Sequence, residues 1–256
     1  MLSREKIKCV VFDLDGTIYF GKNLSDNANE LILLARENYK NVFFATNNSA
    51  RTREQLFDKL TRLGVNLTKE EIINSGYLAA NYIVNNKIGG VYCFGTDDLK
   101  NDLAGQGVNI ISENPSAMVI GYNPDFKMED LETAVNVYLK SKKCLIIAAN
   151  IDRVYPKENG IIAPGAGPIV KAFEYAVNKT ADVIIGKPSA MMLKIIADKF
   201  NLVPDNILMV GDRIESDIKM ADEFGAQSLL ISQKDKCSGQ CNVAKDLYEA
   251  AELIKK

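Results

Sequence analysis

Short apolar runs alternate with longer amphipathic stretches along most of this chain. Ile7, Cys9 and Val10-Val11-Phe12 read as a buried strand, and residues 41–45 (NVFFA) as a second. Between them, residues 27–37 repeat apolar positions at helical spacing, with Leu31, Leu34 and Ala35 on one side. Residues 52–63 are amphipathic through Leu56, Leu60 and Leu63 and stop at Gly64, a good helix-ending signal. Ile72-Ile73 begins another strand-like piece, followed by a helix over 77–84.

The middle of the chain behaves as a separate αβ unit. Residues 89–95 and 117–121 look like strands, 128–140 a helix and 144–149 a strand. Residues 150–168 are rich in loop formers, and 168–177 return to helix. The last part resumes the first pattern: strand 182–185, helix 190–200, strand 207–210, helix 217–224 closed by Gly225, and a final clear strand at 227–231. Strands alternating with helices imply a parallel, doubly wound α/β sheet. The expected organisation is a Rossmann-like core from residues 1–78 and 182–256, with residues 79–181 inserted as a smaller αβ domain.

At 256 residues the chain is large for one domain and small for two, in keeping with one core plus an insert. A net charge of −2 makes no electrostatic case for nucleic acid or an anionic membrane. No apolar run approaches the ~20 residues a membrane span needs. The first strand comes too early for a signal peptide, so a cytoplasmic protein is expected. Cys9, Cys93 and Cys144 lie in apolar segments, and Cys237 and Cys241 flank Ser-Gly-Gln; all five are expected as reduced thiols.

The chemistry concentrates at strand ends. Asp13-Leu14-Asp15-Gly16-Thr17 follows the first strand, and active sites of α/β sheets form at such carboxyl ends. Burying two carboxylates there costs several kcal/mol each unless something compensates, and a hard cation does so. The chain has no histidine, which excludes histidine triads, histidine-ligated zinc and phosphohistidine. Nucleophile and general acid must then come from carboxylates, Lys, Cys, Tyr, Ser or Thr. Thr46-Asn47-Asn48, Gly186-Lys187-Pro188 and Gly211-Asp212-Arg213 follow three further strands. Side by side they supply carboxylates, a hydroxyl, an amide and a lysine, a set suited to a Mg²⁺-dependent phosphoryl site.

In these residues the chain resembles the haloacid dehalogenase-type phosphatases, with their DxDxT motif, strand-end Ser/Thr, distant Lys and acidic GD…D motif. The match is to Asp13 through Thr17, Thr46, Lys187, and Gly211-Asp212 with Asp217. ATNNS (45–49), YPKENG (155–160), PGAGPIV (164–170), IGKPS (185–189) and GDRIESDI (211–218) resemble the NagD-like, nitrophenylphosphatase subfamily. The resemblance spans nearly the whole chain and identifies the middle as an αβ cap. Ser216 and Ala149 depart from it, each standing where the family usually has Thr.

The resemblance implies Asp13 as nucleophile and Mg²⁺ ligand. Asp15 is the implied general acid/base, with its carbonyl on the metal. Thr46 and the Asn47 amide hold phosphate, Lys187 neutralises it, and Asp212 completes the metal site. Asp217, Asn48 and Arg213 support these groups. Asn150, Asp152 and Arg153 in the middle segment are the expected substrate residues. The implied activity is hydrolysis of a small phosphorylated metabolite through an aspartyl phosphate. The alternatives are a phosphotransferase or mutase, or a non-catalytic module resembling a signalling receiver. Related caps often form dimers, which leaves a homodimer open.

Overall fold

The computed structural model describes residues 2–157, 161–234, 237 and 241–255. They divide into two compact units, one of residues 1–46, 57–73 and 187–256, the other of residues 47–56 and 74–186. Set against the expected middle of 79–181, the second unit also takes in 47–56, 74–78 and 182–186, of which 47–56 lies farthest along the chain from the rest. Hydrogen bonds bind this segment to the middle of the chain: Asn150 Nδ2 and Ser75 Oγ both donate to the Asn47 carbonyl, at 2.8 and 2.9 Å.

In chain order the strands are β1 (Cys9–Asp13), β2 (Tyr19–Phe20), β3 (Asn23–Leu24), β4 (Asn41–Thr46) and β5 (Ile72–Asn74). The middle contributes β6 (Val91–Phe94), β7 (Ala117–Ile120), β8 (Leu145–Ala148), β9 (Val154–Pro156), β10 (Ile162–Pro164) and β11 (Val183–Ile184). The last are β12 (Ile207–Gly211), β13 (Gln227–Ile231) and β14 (Asn242–Ala244).

The first unit is built on a six-stranded sheet of order β14-β13-β12-β1-β4-β5. The chain leaves β1 toward β4 and later returns on the other side to β12, so β1 lies at the reversal of strand order. Ligand sites of open α/β sheets form there. Both neighbours of β1 run parallel to it. Cys9 through Phe12 are fully buried, as a strand covered on both faces demands. The register sets Asp13 opposite Ala45 and Phe12 opposite Val210. The ends of β1, β4 and β12 therefore come level, and the polar residues that follow each strand start from one edge.

The second unit has a four-stranded parallel sheet of order β11-β8-β7-β6. Its helices Met128–Lys140 and Ala166–Val177 cover a core of Phe94, Met118, Ile120, Ile146, Val170 and Phe173. The loop expected over 150–168 instead carries β9 and β10, paired antiparallel. Their apolar and proline-ended triplets are too short to show alternation. Residues 158–160 of the YPKENG motif lie outside the described residues.

Among the described residues, besides β2, β3, β9 and β10, two helices and one edge strand were not anticipated. Thr96 caps helix Asp97–Gly105, its hydroxyl accepting from the Leu99 N–H at 3.2 Å. Asp246 caps helix Leu247–Ile254 in the same way through Glu249 at 2.9 Å. Edge strand β14 has three residues, below the length at which a period can be read. The helix expected over 217–224 is α-helical only across Lys219–Phe224; a π-helical turn, Ile214–Ile218, precedes it.

Cys237 and Cys241 are joined in a disulfide, contrary to the expectation of reduced thiols; their Cα atoms stand 5.6 Å apart, within bridging range. Cys9, Cys93 and Cys144 are free. No helix among the described residues is long and apolar enough to cross a membrane.

Phe173 is fully buried, with its ring centroid 6.1 Å from Phe94 and 5.6 Å from Tyr138. Phe173→Ala should destabilise the second unit by about 3–5 kcal/mol in denaturant unfolding. Tyr175→Ala, on the same helix but 91% exposed, should stay within about 0.5 kcal/mol of the parent.

Candidate active site

Lys187 is the centre of the site. Its ammonium is buried, 3% exposed, and donates to Asp13 Oδ1, to Asp217 Oδ1 at 2.6 Å and to the Ala45 carbonyl at 3.3 Å. Three strand ends meet on one cation. Asp13 closes β1, Ala45 is the penultimate residue of β4, and Asp217 lies in the π-helical turn after β12. Asp217 is fully buried, and its second oxygen accepts from the Arg213 N–H at 3.1 Å. The extra residue of a π-turn re-aims a side chain, and such turns recur at functional sites.

Thr17 ties the acids on the other side. Its hydroxyl lies 3.1 Å from Asp212 Oδ1 and 3.4 Å from Asp13 Oδ2. The motif contained Thr17, but its sequence position alone assigned it no role. Gly16 has φ +100°, and a Cβ there would meet Asp212 Oδ2 at 2.5 Å. Glycine is thus required twice over, by backbone and by space. Gly211 is similar: a Cβ would collide with the Asp217 carboxylate.

Asp15 differs from the others. Its side chain is exposed, and its carboxylate accepts from the Thr46 hydroxyl at 3.3 Å. A carboxylate at the mouth of the site can exchange protons with a leaving group or water; Asp13, Lys187 and Asp217 are enclosed.

Oxygen atoms of Asp13, Asp212 and Asp217 all lie within 4.8 Å of one another. A carboxylate-only donor set suits a hard divalent cation such as Mg²⁺. Burial is the main cause of an Asp13 carboxyl pushed up to about 7, against the pull of Lys187. Burial, with the charge of Asp217, takes Asp212 to about 6, and burial again takes Asp217 to about 6. Burial alone would depress Lys187, but the charges of Asp13 and Asp217 outweigh it and raise the ammonium above an ordinary lysine. One ammonium among three carboxylates leaves excess negative charge, which a proton or a cation must absorb.

The remaining expected residues lie in the second unit, apart from Arg213, which is half-buried in the first. Asn47 is buried, and its Nδ2 donates to Asp152 Oδ1 at 3.1 Å. Asn150, 3% exposed, donates to the Asn47 carbonyl and accepts from the Asp152 N–H at 3.2 Å. Asn48 accepts from the Ala50 N–H at 3.1 Å, and Arg153 is exposed. Asn47, Asn150 and Asp152 thus form one polar network in the second unit, while Asp13, Asp15, Thr46, Lys187, Asp212 and Asp217 gather in the first.

Similarity to known proteins places the chain in a family. Residues 10–109 match the family described as haloacid dehalogenase-like hydrolase, and residues 184–250 one described as HAD-hydrolase-like. Glycerol-3-phosphate phosphatase of Rattus norvegicus is 30% identical, covering 88% of this chain and 78% of the relative. The chain belongs to the haloacid dehalogenase-like hydrolases.

Solved structures narrow the class. The 4-nitrophenylphosphatase of Thermotoga maritima superimposes with a TM-score of 0.89 at 28% identity, covering 98% of both chains. A glycerol phosphate phosphatase from Mycobacterium tuberculosis, solved in complex with magnesium, gives a TM-score of 0.83 at 25% identity, covering 96% of this chain and 77% of that one. Its relatives are named phosphatases, so within its superfamily this protein is a phosphatase, and its fold is similar to those of NagD and 4-nitrophenylphosphatase proteins.

The raised carboxyls set a pH dependence. Asp13, Asp212 and Asp217 hold protons in the folded state up to about 7, 6 and 6, whereas unfolded carboxylates release them near pH 4. Folding takes up protons in that window, so stability falls as pH rises through it. Lys187 acts in the same direction but only in alkali, where its stabilisation is lost as pH rises above the unfolded lysine value. In EDTA, the denaturation midpoint should drop between pH 5 and pH 7.5, and Asp217→Asn should flatten the slope. Thermal melts across that range check this; a flat parent profile would contradict it.

Proposed function

We propose that the protein hydrolyses a small phosphorylated metabolite, with Mg²⁺ as cofactor and an aspartyl phosphate as intermediate. The observation that carries this reading is the contrast at one sheet edge: Asp13 is buried and fastened to Lys187, while Asp15, two residues on, is exposed beside Thr46. A fixed nucleophile and a mobile-proton acid need such different surroundings.

Lys187 holds the Asp13 carboxylate through Oδ1 and keeps it ionised once the excess charge of the site is neutralised. Asp13 attacks phosphorus, and the leaving oxygen departs with a proton from Asp15. Asp15, now ionised, takes a proton from water, which attacks the phosphorus and frees phosphate from Asp13. Thr46 and the Asn47 amide bind phosphate oxygens. Asp13, Asp212 and the Asp15 carbonyl would hold Mg²⁺, which supplies neutralisation of phosphate charge when bound. Asp217 spends its two oxygens on Lys187 and Arg213, so its assigned part is to hold the lysine. Asn150, Asp152 and Arg153 stay proposed as substrate residues of the middle unit. The names of the relatives support a small phosphomonoester such as glycerol phosphate.

Phosphate release from 4-nitrophenyl phosphate and a panel of metabolite phosphates tests the reading. Activity should require Mg²⁺ and vanish in excess EDTA; full turnover in EDTA would remove the metal assignment. Asp13→Ala should abolish turnover and the phosphorylated-protein mass seen after acid quench. Lys187→Met should also abolish turnover. By leaving Asp13 and Asp217 buried without their cation, it should cost about 3–5 kcal/mol in stability.

A further inference from the structure

The loop that carries Asp15 is closed by Tyr19. The Leu14 carbonyl accepts from the N–H groups of Thr17, Ile18 and Tyr19 at 3.3, 3.0 and 3.1 Å. The Gly16 N–H returns to the Tyr19 carbonyl at 2.9 Å, and Asp15 and Tyr19 form a β-bridge. The backbone at Asp15 is therefore set by where Tyr19 sits.

Tyr19 is fully buried, and the Lys59 ammonium lies 3.3 Å from the centroid of its ring. Lys59 is half-buried on helix Arg53–Arg62, forty positions further along the chain. An ammonium over the negative face of an aromatic ring is attracted to it, more strongly when partly out of water. The contact spans two elements and fixes the ring from above, while the backbone of the same residue fixes the Asp15 loop.

We propose that Lys59 and Tyr19 are a positioning pair that holds Asp15 in its proton-transferring place. The inference rests on the proposed role of Asp15 as general acid. Neither side chain is assigned contact with substrate; both act through the loop.

A leaving-group comparison tests the pair. Nitrophenolate leaves with little need of a proton, whereas an alkoxide needs the acid. Lys59→Met, which keeps an apolar stem, should lower kcat/KM for glycerol phosphate about tenfold, the size of a desolvated cation–π contact. It should leave kcat/KM for 4-nitrophenyl phosphate within about twofold. Lys59→Arg should restore the alkyl phosphate. Tyr19→Leu, an apolar filler without a ring face, should reproduce the selectivity, and Lys59→Met added to it should cost nothing more. Nor should Lys59→Met cost anything in an Asp15→Asn background. Equal losses on both substrates, or an undiminished loss in the Asp15→Asn background, would overturn the proposal. Asp15→Asn alone keeps the two readings apart: if it lowers both substrates equally, the general-acid reading fails, not merely the pair.

Discussion

Burial of one lysine among aspartates governs the first unit's edge. Lys187 has lost nearly all contact with water, and only the charges of Asp13 and Asp217 make that tolerable. The acids are no better placed alone, since burial raises each of them. Removing either side strands the other at several kcal/mol. The arrangement holds three strand ends in register around one point, and it leaves an excess of negative charge suited to a cation. Stability and chemistry are thus in tension here: the same burial that encloses the acids makes their ionised forms costly.

The rest of the unit serves that point. β1 is apolar from Cys9 to Phe12 because both faces are covered, and its first unpaired polar residue is Asp13. Parallel pairing with β4 and β12 brings Ala45 and Gly211 alongside, so Thr46 and Asp212 follow at the same edge. The π-turn turns Asp217 back beneath Lys187, and Gly16 lets Asp212 approach the first loop. The second unit repeats the scheme of helices on a parallel sheet. There Asn47, Asn150 and Asp152 are joined by hydrogen bonds to one another.

Much was legible before any coordinates. Apolar runs of four or five residues ending in Asp, Thr or Gly-Asp can only be strands whose ends are polar, and their order along the chain defined the α/β class and the inserted middle. The absence of histidine excluded histidine chemistry and left carboxylates, Lys, Cys, Tyr, Ser or Thr to supply the nucleophile and the acid. What escaped has physical causes. Helix Asp97–Gly105 and helix Leu247–Ile254 are short and announced mainly by a capping Thr96 or Asp246, a one-residue signal. β9, β10 and β14 are three residues each, too brief for a period. The Cys237–Cys241 bridge requires the two Cα atoms within bridging range, which spacing alone does not dictate.

By itself the amino-acid sequence determined which residues are available at strand ends, that they are oxygen donors plus one lysine, and that they belong to a phosphoryl-transferring pattern. Those are properties of local periodicity and residue chemistry. Only the tertiary structure decided how they divide. It buried Asp13 and Asp217 on Lys187, left Asp15 exposed beside Thr46, and gave Thr17 the task of bridging Asp13 and Asp212. It also set Lys59 on the face of Tyr19. Apart from Thr17 and Asp13, four positions apart, those outcomes rest on pairings between residues thirty to nearly two hundred positions apart. Their energies come from desolvation and from charges a few ångströms away, quantities that exist only once the chain has folded.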